Sequence, residues 1–207
     1  SAMNLHRIRA RSFFLPITLI VLASVFLAPC ALGQSSGPEL PEAKQTSLGL
    51  YPTAREAHDK WRADPENVTV LDVRTTEEYL FVGQAPMAWN VPLFSQTHDW
   101  DADKQYFSMY TNPDFVSQVE EFAQPGDTIL VMCRSGGRRA MAVNKLAEAG
   151  FTNVYQITGG FEGDPVKDPE SVFLGQHLRN GWKNSGIPGI YQPLPDQMRF
   201  ANKESKE

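Results

Sequence analysis

The chain has 207 residues, 42% hydrophobic and 11% aromatic, enough for the core of one medium-sized domain and too much for a disordered segment. The formal net charge is −5 at pH 7, but the first 33 residues contain three arginines and no acid. The remaining 16 basic and 24 acidic residues give −8. This balance argues against a nucleic-acid partner, because phosphate contacts need clustered lysine and arginine.

The N-terminal segment has the pattern of a secretory signal. Residues 1–3 resemble a cloning remnant and the natural start, and residues 4–33 join a basic stretch to a long uncharged apolar run. Small residues before Gln34 favour cleavage after Gly33. An uncleaved membrane anchor and lipid attachment at Cys30 are the alternatives. We therefore expect an exported, periplasmic protein, soluble rather than anchored, with a membrane partner only if this segment is retained or lipidated.

Cysteine and histidine usage limits the chemistry further. The chain has two cysteines, and Cys30 lies in the signal, so Cys133 is the one thiol expected in the folded domain and no intrachain disulfide is predicted. The four histidines are scattered without metal-ligand spacing, so we expect no metal site.

The first half of the chain alternates helix and strand patterns. Residues 34–46 are rich in Ser, Gly, Pro and Glu and indicate a linker. Thr53 and Glu56 form a capping box that opens a short helix ending before Pro65. The patterns then predict a strand over 68–73, a helical turn over 75–80, a strand over 88–92, a long polar and aromatic loop over 95–110, and a helix capped by Asn112.

The second half contains the strongest single pattern. Thr128 to Met132 is a continuous apolar and β-branched run, typical of a strand buried on both faces. A helix follows over 138–149, ended by Gly150, and a last strand over 154–157. The remainder is rich in Gly, Pro and Asn and ends in a polar tail over 191–207. Alternating strands and helices predict an α/β fold, with a mainly parallel central sheet covered by helices on both faces.

Cys133 lies where the buried strand ends and a helix is about to begin, the edge at which such sheets bind ligands. Gly136 and Gly137 allow the loop to curl so that backbone N–H groups surround the sulfur. The helix start and the nearby arginines at 134, 138 and 139 add positive charge. These effects favour thiolate, the nucleophilic form, and make the loop an anion cradle.

Four motifs carry a family resemblance. They are Leu71-Asp72-Val73-Arg74 with Glu77-Glu78-Tyr79; Ala88-Trp89-Asn90-Val91-Pro92-Leu93; Cys133-Arg134-Ser135-Gly136-Gly137-Arg138; and a closing set of Leu146 to Val154, Thr158-Gly159-Gly160 and Gly181-Trp182. Over residues 47–190 the chain resembles an exported bacterial single-domain rhodanese, a thiosulfate sulfurtransferase-like module. One departure is Gln84, which stands where the family often has histidine, so no acid–base role is assigned there.

The resemblance implies a rhodanese-like fold and transfer of sulfane sulfur through a Cys133 persulfide. The donor would be thiosulfate or a polysulfide, and the acceptor a small thiol, a protein or cyanide. Cys133 would be the nucleophile, and the substrate-binding group would be Arg134, Ser135, Gly136, Gly137 and Arg138. Asp72 and Arg74 would support the loop from behind, through an ion pair with Glu78. No cofactor is implied.

Two other functions stay open at this point. Counted to Arg139, the loop has the Cys-x5-Arg spacing of cysteine phosphatases, although Met132 stands where those enzymes usually have histidine and Ala140 where Ser or Thr is usual. The second is a sulfur-carrier or partner-binding module that forms a persulfide but does not turn over small donors.

Overall fold

The computed structural model describes residues 41–200. The expected secretory signal, Cys30 and the cleavage site after Gly33 lie outside the described residues. Within residues 41–200, no helix combines the length and the apolar character needed to cross a bilayer.

Twelve helices and strands follow one another in the described part of the chain. In order they are α1 (Ala54–Ala63), β1 (Val68–Asp72), α2 (Thr76–Val82), β2 (Ala88–Asn90), β3 (Phe94–Asp101), β4 (Tyr106–Thr111), α3 (Phe115–Glu120), β5 (Thr128–Met132), α4 (Gly137–Glu148), β6 (Val154–Gln156), β7 (Asp164–Pro165) and β8 (His177–Arg179). Short 3-10 turns occur at Glu42–Lys44, Trp182–Asn184 and Pro195–Gln197.

The central sheet has four parallel strands in the order β2-β1-β5-β6. The register between its two middle strands runs from Val68 opposite Thr128 to Asp72 opposite Met132. Each parallel connection crosses over through at least one helix, as βαβ geometry requires. The predicted α/β class with a central parallel sheet is confirmed.

Both faces of the sheet are buried, because alternate residues of each strand enter different core clusters. One cluster joins Ile129 and Val131 to residues from α3 and α4, including Phe115, Val119, Val143 and Leu146. The other joins Leu130 and Met132 to residues from α1 and the C-terminal segment, including Ala54, Ala57, Phe161 and Trp182. The unbroken apolar run in β5 follows from this arrangement, since neither face of that strand meets water.

The predicted capping box at the start of α1 is confirmed, and α2 begins with a second one that was not predicted. Thr53 caps α1 and Thr75 caps α2, each in a complete capping box with the glutamate three residues on. The expected cap of α3 was wrong, because the N-cap is Asp114 rather than Asn112. The Asn112 side chain instead accepts from the Asp114 N–H and donates to the Pro92 carbonyl, which stabilises the turn before the helix.

The segment predicted as a long loop over 95–110 is a β-hairpin, so that prediction was wrong. β3 and β4 pair antiparallel from Phe94 opposite Thr111 to Asp101 opposite Tyr106, with a bulge between Gln96 and Trp100. Most of its residues are exposed, so polar and apolar residues do not alternate in the way that marks a half-buried strand. The turn is held by the Asp101 carboxylate, which accepts from the Lys104 N–H.

The segment from Ile190 onward lies along the β2 side of the sheet. Gln84 forms a bridge with Ile190, and Asn90 on β2 forms one with Met198. Arg199 pairs with Glu121 beyond α3. These contacts cover the strand edge that β2 would otherwise expose.

A fully buried ion pair follows the end of β1. Arg74 donates to both carboxylate oxygens of Asp72, at 2.6 Å and 2.9 Å to Oδ2 and 3.0 Å to Oδ1, and neither side chain is exposed. Arg74 also donates to the backbone carbonyls of Glu78 and Gly83. The expected ion pair between Arg74 and the Glu78 carboxylate is therefore wrong, because Asp72 takes that place.

Replacing Arg74 should be strongly destabilising, because the Asp72 carboxylate would be left buried without its cation. We expect Arg74→Met to lower the free energy of unfolding by about 3–5 kcal/mol, measured by urea denaturation. The exposed Arg62→Met should change it by less than about 0.5 kcal/mol. The double variant Asp72→Asn/Arg74→Met should be more stable than Arg74→Met alone. Equal stability of the two would contradict the explanation.

Candidate active site

Cys133 directly follows β5, and its side chain is almost fully buried. The residue is 1% exposed and belongs to the core cluster on the α3–α4 face of the sheet. Its Sγ accepts a hydrogen bond from the Gly136 N–H at 3.3 Å. The sulfur therefore lies at the boundary between an apolar core, which favours the neutral thiol, and a polar loop, which favours the thiolate.

The loop after Cys133 is fixed by the segment after β6. The Phe161 N–H donates to the Cys133 carbonyl at 2.7 Å, and the Glu162 N–H donates to the Arg134 carbonyl at 3.0 Å. Gly160 has a φ of +63°, and a Cβ there would lie 2.3 Å from the Cys133 carbonyl oxygen. Only glycine permits this approach, so the glycine of the closing motif is explained by the position of the loop.

The Asp72–Arg74 ion pair is connected to the loop through Phe161. The Arg74 guanidinium stacks over the Phe161 ring, with 4.0 Å between its central carbon and the ring centroid. Phe161 is the residue whose backbone holds the Cys133 carbonyl. This chain of contacts gives a physical route for the supporting role expected of both residues, which stays a prediction.

Arg138 forms a two-pronged ion pair with Glu78 of α2. One bond, from Arg138 Nη2 to Glu78 Oε1, is 2.7 Å, and Arg138 Nη1 contacts Oε2. Burial alone would raise the pKa of Glu78, but the hydrogen bond and charge of Arg138, with the Thr75 N–H and the Arg74 charge, lower it overall. Burial likewise opposes the charge on Arg138, and Glu78 offsets this and raises its pKa. The pair is ionised and holds Arg138 beside the loop.

Arg139 is buried, which the sequence did not predict. It lies in the first turn of α4, is 1% exposed, and its Nε and Nη1 have no hydrogen-bond partner among residues 41–200. Burial lowers the pKa of Arg139, and the nearby Cys133 and Asp164 side chains partly offset this. Arg139 is therefore a buried guanidinium close to the Cys133 side chain.

The Arg134 side chain is half exposed, and its guanidinium lies near His177 of β8. Its Nη2 lies 3.0 Å from His177 Nε2, and its Nε lies 3.6 Å from Glu162 Oε1. His177 Nδ1 lies 2.6 Å from the Gly163 carbonyl, which can only accept. The proton is therefore on Nδ1, and Nε2 accepts from Arg134 in the neutral imidazole.

The remaining loop residues have backbone roles. The Ser135 carbonyl accepts from Lys44 Nζ at 3.5 Å, Gly136 is the N-cap of α4, and Gly137 is its first residue. The Lys44 side chain also lies against Gly136. Lys44 is thus a fourth cation beside the loop, and it was not predicted because it falls in the segment expected to be a linker. The roles expected of Ser135, Gly136 and Gly137 in substrate binding stay predictions.

A cavity of about 640 Å³ opens between the β3–β4 hairpin and the loop of residues 133–138, called the active loop below. It is lined by Glu78, Phe94, Gln96, Tyr106, Met109, Arg134 and Arg138. No residue of the hairpin was predicted to belong to the site, because its segment was predicted to be a long loop.

In the part of the chain described, no three His, Cys, Asp or Glu side chains are grouped closely enough to hold a metal ion.

Comparison with known proteins agrees with this fold. The family profile of the rhodanese-like domain matches residues 53–164, which is more than half of the chain. The chain therefore belongs to the rhodanese-like domain family, as the sequence motifs predicted. The same architecture occurs in the crystal structure of Rv0390 from M. tuberculosis, with a TM-score of 0.53 and 24% identity, covering 69% of this chain and 97% of that one.

Two curated relatives share the sequence over 91 residues, or 44% of this chain. The chain is 42% identical to "Thiosulfate sulfurtransferase 16, chloroplastic" of Arabidopsis thaliana, over 68% of that protein. It is 37% identical to "Senescence-associated protein DIN1" of Raphanus sativus, over only 45% of that protein. The chain is thus a member of a family that includes sulfurtransferases.

The Glu78–Arg138 pair should make stability depend on pH in the acid range. The pKa of Glu78 is lowered from its ordinary value of 4.5 in the folded state, so its stabilisation is full above that value and is lost as the pH falls through the folded-state pKa. We expect Glu78→Gln to cost about 1.5–3 kcal/mol at neutral pH. This difference from the wild type should disappear in strong acid.

Urea denaturation over a pH series from neutral to strongly acidic measures this effect. The matched control is Glu77→Gln, which removes an exposed carboxylate from the neighbouring position of the same helix. A difference between wild type and Glu78→Gln that stays constant across the series would show that the ion pair is not its source.

Proposed function

We propose that this protein is a sulfurtransferase that moves sulfane sulfur from thiosulfate or a polysulfide to a thiol or cyanide through a persulfide on Cys133. The observation that carries the proposal is the position of Cys133, at the start of a fixed loop, with an N–H from Gly136 on its sulfur and the buried Arg139 beside it. The similarity to a protein named thiosulfate sulfurtransferase supports the choice of donor.

In the first step the Cys133 thiolate attacks the outer sulfur of thiosulfate. A bond forms between Sγ and that sulfur, and the sulfur–sulfur bond of thiosulfate breaks. Sulfite leaves with the bonding electron pair, and Cys133 is left as a persulfide anion. The negative charge stays at the loop throughout, so the groups that stabilise the thiolate also stabilise the product.

In the second step an acceptor removes the outer sulfur. A thiolate or cyanide attacks it, a new bond to sulfur forms, and the Sγ–sulfur bond breaks with its electron pair returning to Cys133. The products are an organic persulfide or thiocyanate, and the enzyme thiolate is restored. No metal, electron donor or oxidant enters either step.

The three arginines near Cys133 have different electrostatic roles. Arg134 and Arg138 line the cavity, where they attract an anionic donor, although Glu78 neutralises part of the Arg138 charge. Arg139 does not line the cavity and acts on the sulfur from the protein side. Because Arg139 is buried, water screens its charge little, so it is placed to stabilise negative charge that develops on the sulfur during the reaction.

The burial of Cys133 supports a second candidate function. Cys133 is only 1% exposed, so a donor reaches Sγ only when neighbouring groups move aside. A sulfur carrier that forms the persulfide and releases it slowly would also have a covered sulfur. Turnover separates the two functions, because a carrier gains sulfur from thiosulfate but produces negligible thiocyanate with cyanide.

The expected location belongs to the same proposal. We propose that residues 47–190 act as the rhodanese-like domain of an exported, periplasmic protein whose N-terminal segment is removed after Gly33. Determining the N-terminal residue of the protein secreted by an expressing bacterium tests this. A mature chain that begins at Gln34 supports it, and a chain that retains the apolar segment contradicts it.

Persulfide formation should require Cys133. After incubation with thiosulfate and removal of the excess, intact-mass spectrometry should show a gain of one sulfur atom in the wild type and none in Cys133→Ser. Subsequent cyanide should remove the gain and release an equal amount of thiocyanate. A wild-type protein that gains no sulfur from thiosulfate or polysulfide would contradict the proposal.

Arg139 should accelerate the reaction through its charge. We expect Arg139→Met to slow single-turnover persulfide formation by about ten- to a hundredfold, since removing one such group commonly costs about 2–4 kcal/mol. Arg139→Lys should recover part of the rate. The pH profile of Cys133 alkylation should move to higher pH in Arg139→Met and not in Arg62→Met. A purely structural Arg139 would leave that profile in place.

A further inference from the structure

The cavity beside the active loop is much larger than the proposed inorganic substrates require. Its volume of about 640 Å³ corresponds to roughly twenty water molecules at ~30 Å³ each. Thiosulfate and cyanide are the size of a few waters. Cavities of several hundred cubic ångströms are instead typical of sites for organic ligands.

The two walls of this cavity differ in chemistry. The active-loop wall presents the guanidinium groups of Arg134 and Arg138, while the hairpin wall presents Phe94, Tyr106 and Met109. Glu78 is the one acid in the lining, and both of its oxygens already contact Arg138. The lining therefore keeps one positive charge in excess, opposite an apolar surface.

The hairpin side chains are exposed although they are apolar. Tyr106 is 47% exposed and Met109 is 45% exposed, whereas Phe94 is partly buried and packs on the core, so it anchors the base of the hairpin. A wall that contains both a methionine and an aromatic ring makes an adaptable surface for a small apolar group. Arg134 is half exposed and keeps N–H donors beyond those used on His177 and Glu162.

We infer that this cavity binds the sulfur acceptor, and that the acceptor is a small organic thiol carrying both a carboxylate and an apolar body. The carboxylate pairs with Arg134, and the apolar body covers Tyr106 and Met109. The inference rests on the proposed function, because the thiolate of this acceptor is the group that attacks the outer sulfur of the Cys133 persulfide. Cys133 is buried and does not itself line the cavity, so the inference requires the outer sulfur to extend to the cavity lining, which includes the next residue, Arg134. The β3–β4 hairpin is then the element that selects the acceptor.

Three thiols test the two requirements separately. Para-mercaptomethylbenzoate has both the apolar body and the carboxylate, benzyl mercaptan lacks the carboxylate, and mercaptoacetate lacks the apolar body. Steady-state transfer from saturating thiosulfate gives kcat/KM for each thiol and for cyanide. We expect para-mercaptomethylbenzoate to have the highest kcat/KM of the three thiols.

Variants then locate the binding surface. Tyr106→Ala and Met109→Ala should each lower the ratio of kcat/KM for para-mercaptomethylbenzoate to that for cyanide by on the order of tenfold, the effect of one lost apolar contact. Arg134→Met should reduce the preference for para-mercaptomethylbenzoate over benzyl mercaptan.

The matched control is Phe107→Ala on the same hairpin. Phe107 is 44% exposed, does not line the cavity, and packs edge-on against Trp100 with 5.2 Å between ring centroids. Phe107→Ala removes an aromatic ring of similar exposure from the same strand as Tyr106, so an effect of general unfolding is expected in both variants. We expect Phe107→Ala to leave the ratio unchanged.

The outcomes separate this inference from the proposed function. If neither thiosulfate nor polysulfide adds sulfur to Cys133 in the wild type, the proposed function itself is wrong. If the persulfide forms and Tyr106→Ala changes the ratio no more than Phe107→Ala, only the inference about the acceptor is wrong. Equal kcat/KM for the three thiols would also overturn it, and would favour an acceptor that does not enter the cavity.

Discussion

The site depends on two backbone hydrogen bonds, from the N–H groups of Phe161 and Glu162 to the carbonyls of Cys133 and Arg134. These bonds tie the start of the active loop to the segment that follows β6, so the loop cannot turn independently of the sheet. Gly160 allows the two segments to approach, since a side chain there would collide with the Cys133 carbonyl. With its first two carbonyls fixed in this direction, the loop folds back and directs an N–H onto the sulfur. The geometry that favours an anion is therefore a product of backbone packing.

Three arginines lie around this loop, and they differ in their partners and in their burial. We therefore propose a different function for each. Arg138 is restrained by Glu78 and keeps a fixed position in the cavity lining. Arg134 bonds to a neutral histidine and is exposed enough to meet a ligand. Arg139 is buried, with two of its nitrogens unpaired within the described residues, and interacts with Cys133. Burying a cation with unpaired nitrogens is costly, and Cys133 and Asp164 offset part of that cost.

Local and periodic signals in the sequence were sufficient for the fold class and for the position of Cys133 at the end of β5. The β5 run and the capping boxes of Thr53 and Thr75 depend on neighbouring residues, so they could be predicted without tertiary information. The pair between Glu78 and Arg138 could not, because it joins residues 60 apart that only the folded sheet brings together. The burial of Arg139, the approach of Lys44 and the cavity wall formed by the hairpin are tertiary features of the same kind. The hairpin also lacked the usual pattern, because most of its residues are exposed to water.

A crystal structure of the protein after treatment with thiosulfate would test the central claim most directly. The account predicts one additional sulfur bonded to Cys133 Sγ, turned toward the cavity and within hydrogen-bonding distance of N–H groups of residues 134–138. The loop carbonyls should still be bonded to Phe161 and Glu162. An unmodified Cys133, or an added sulfur directed into the apolar core and away from the loop N–H groups, would contradict the claim that this loop exists to hold sulfur as an anion.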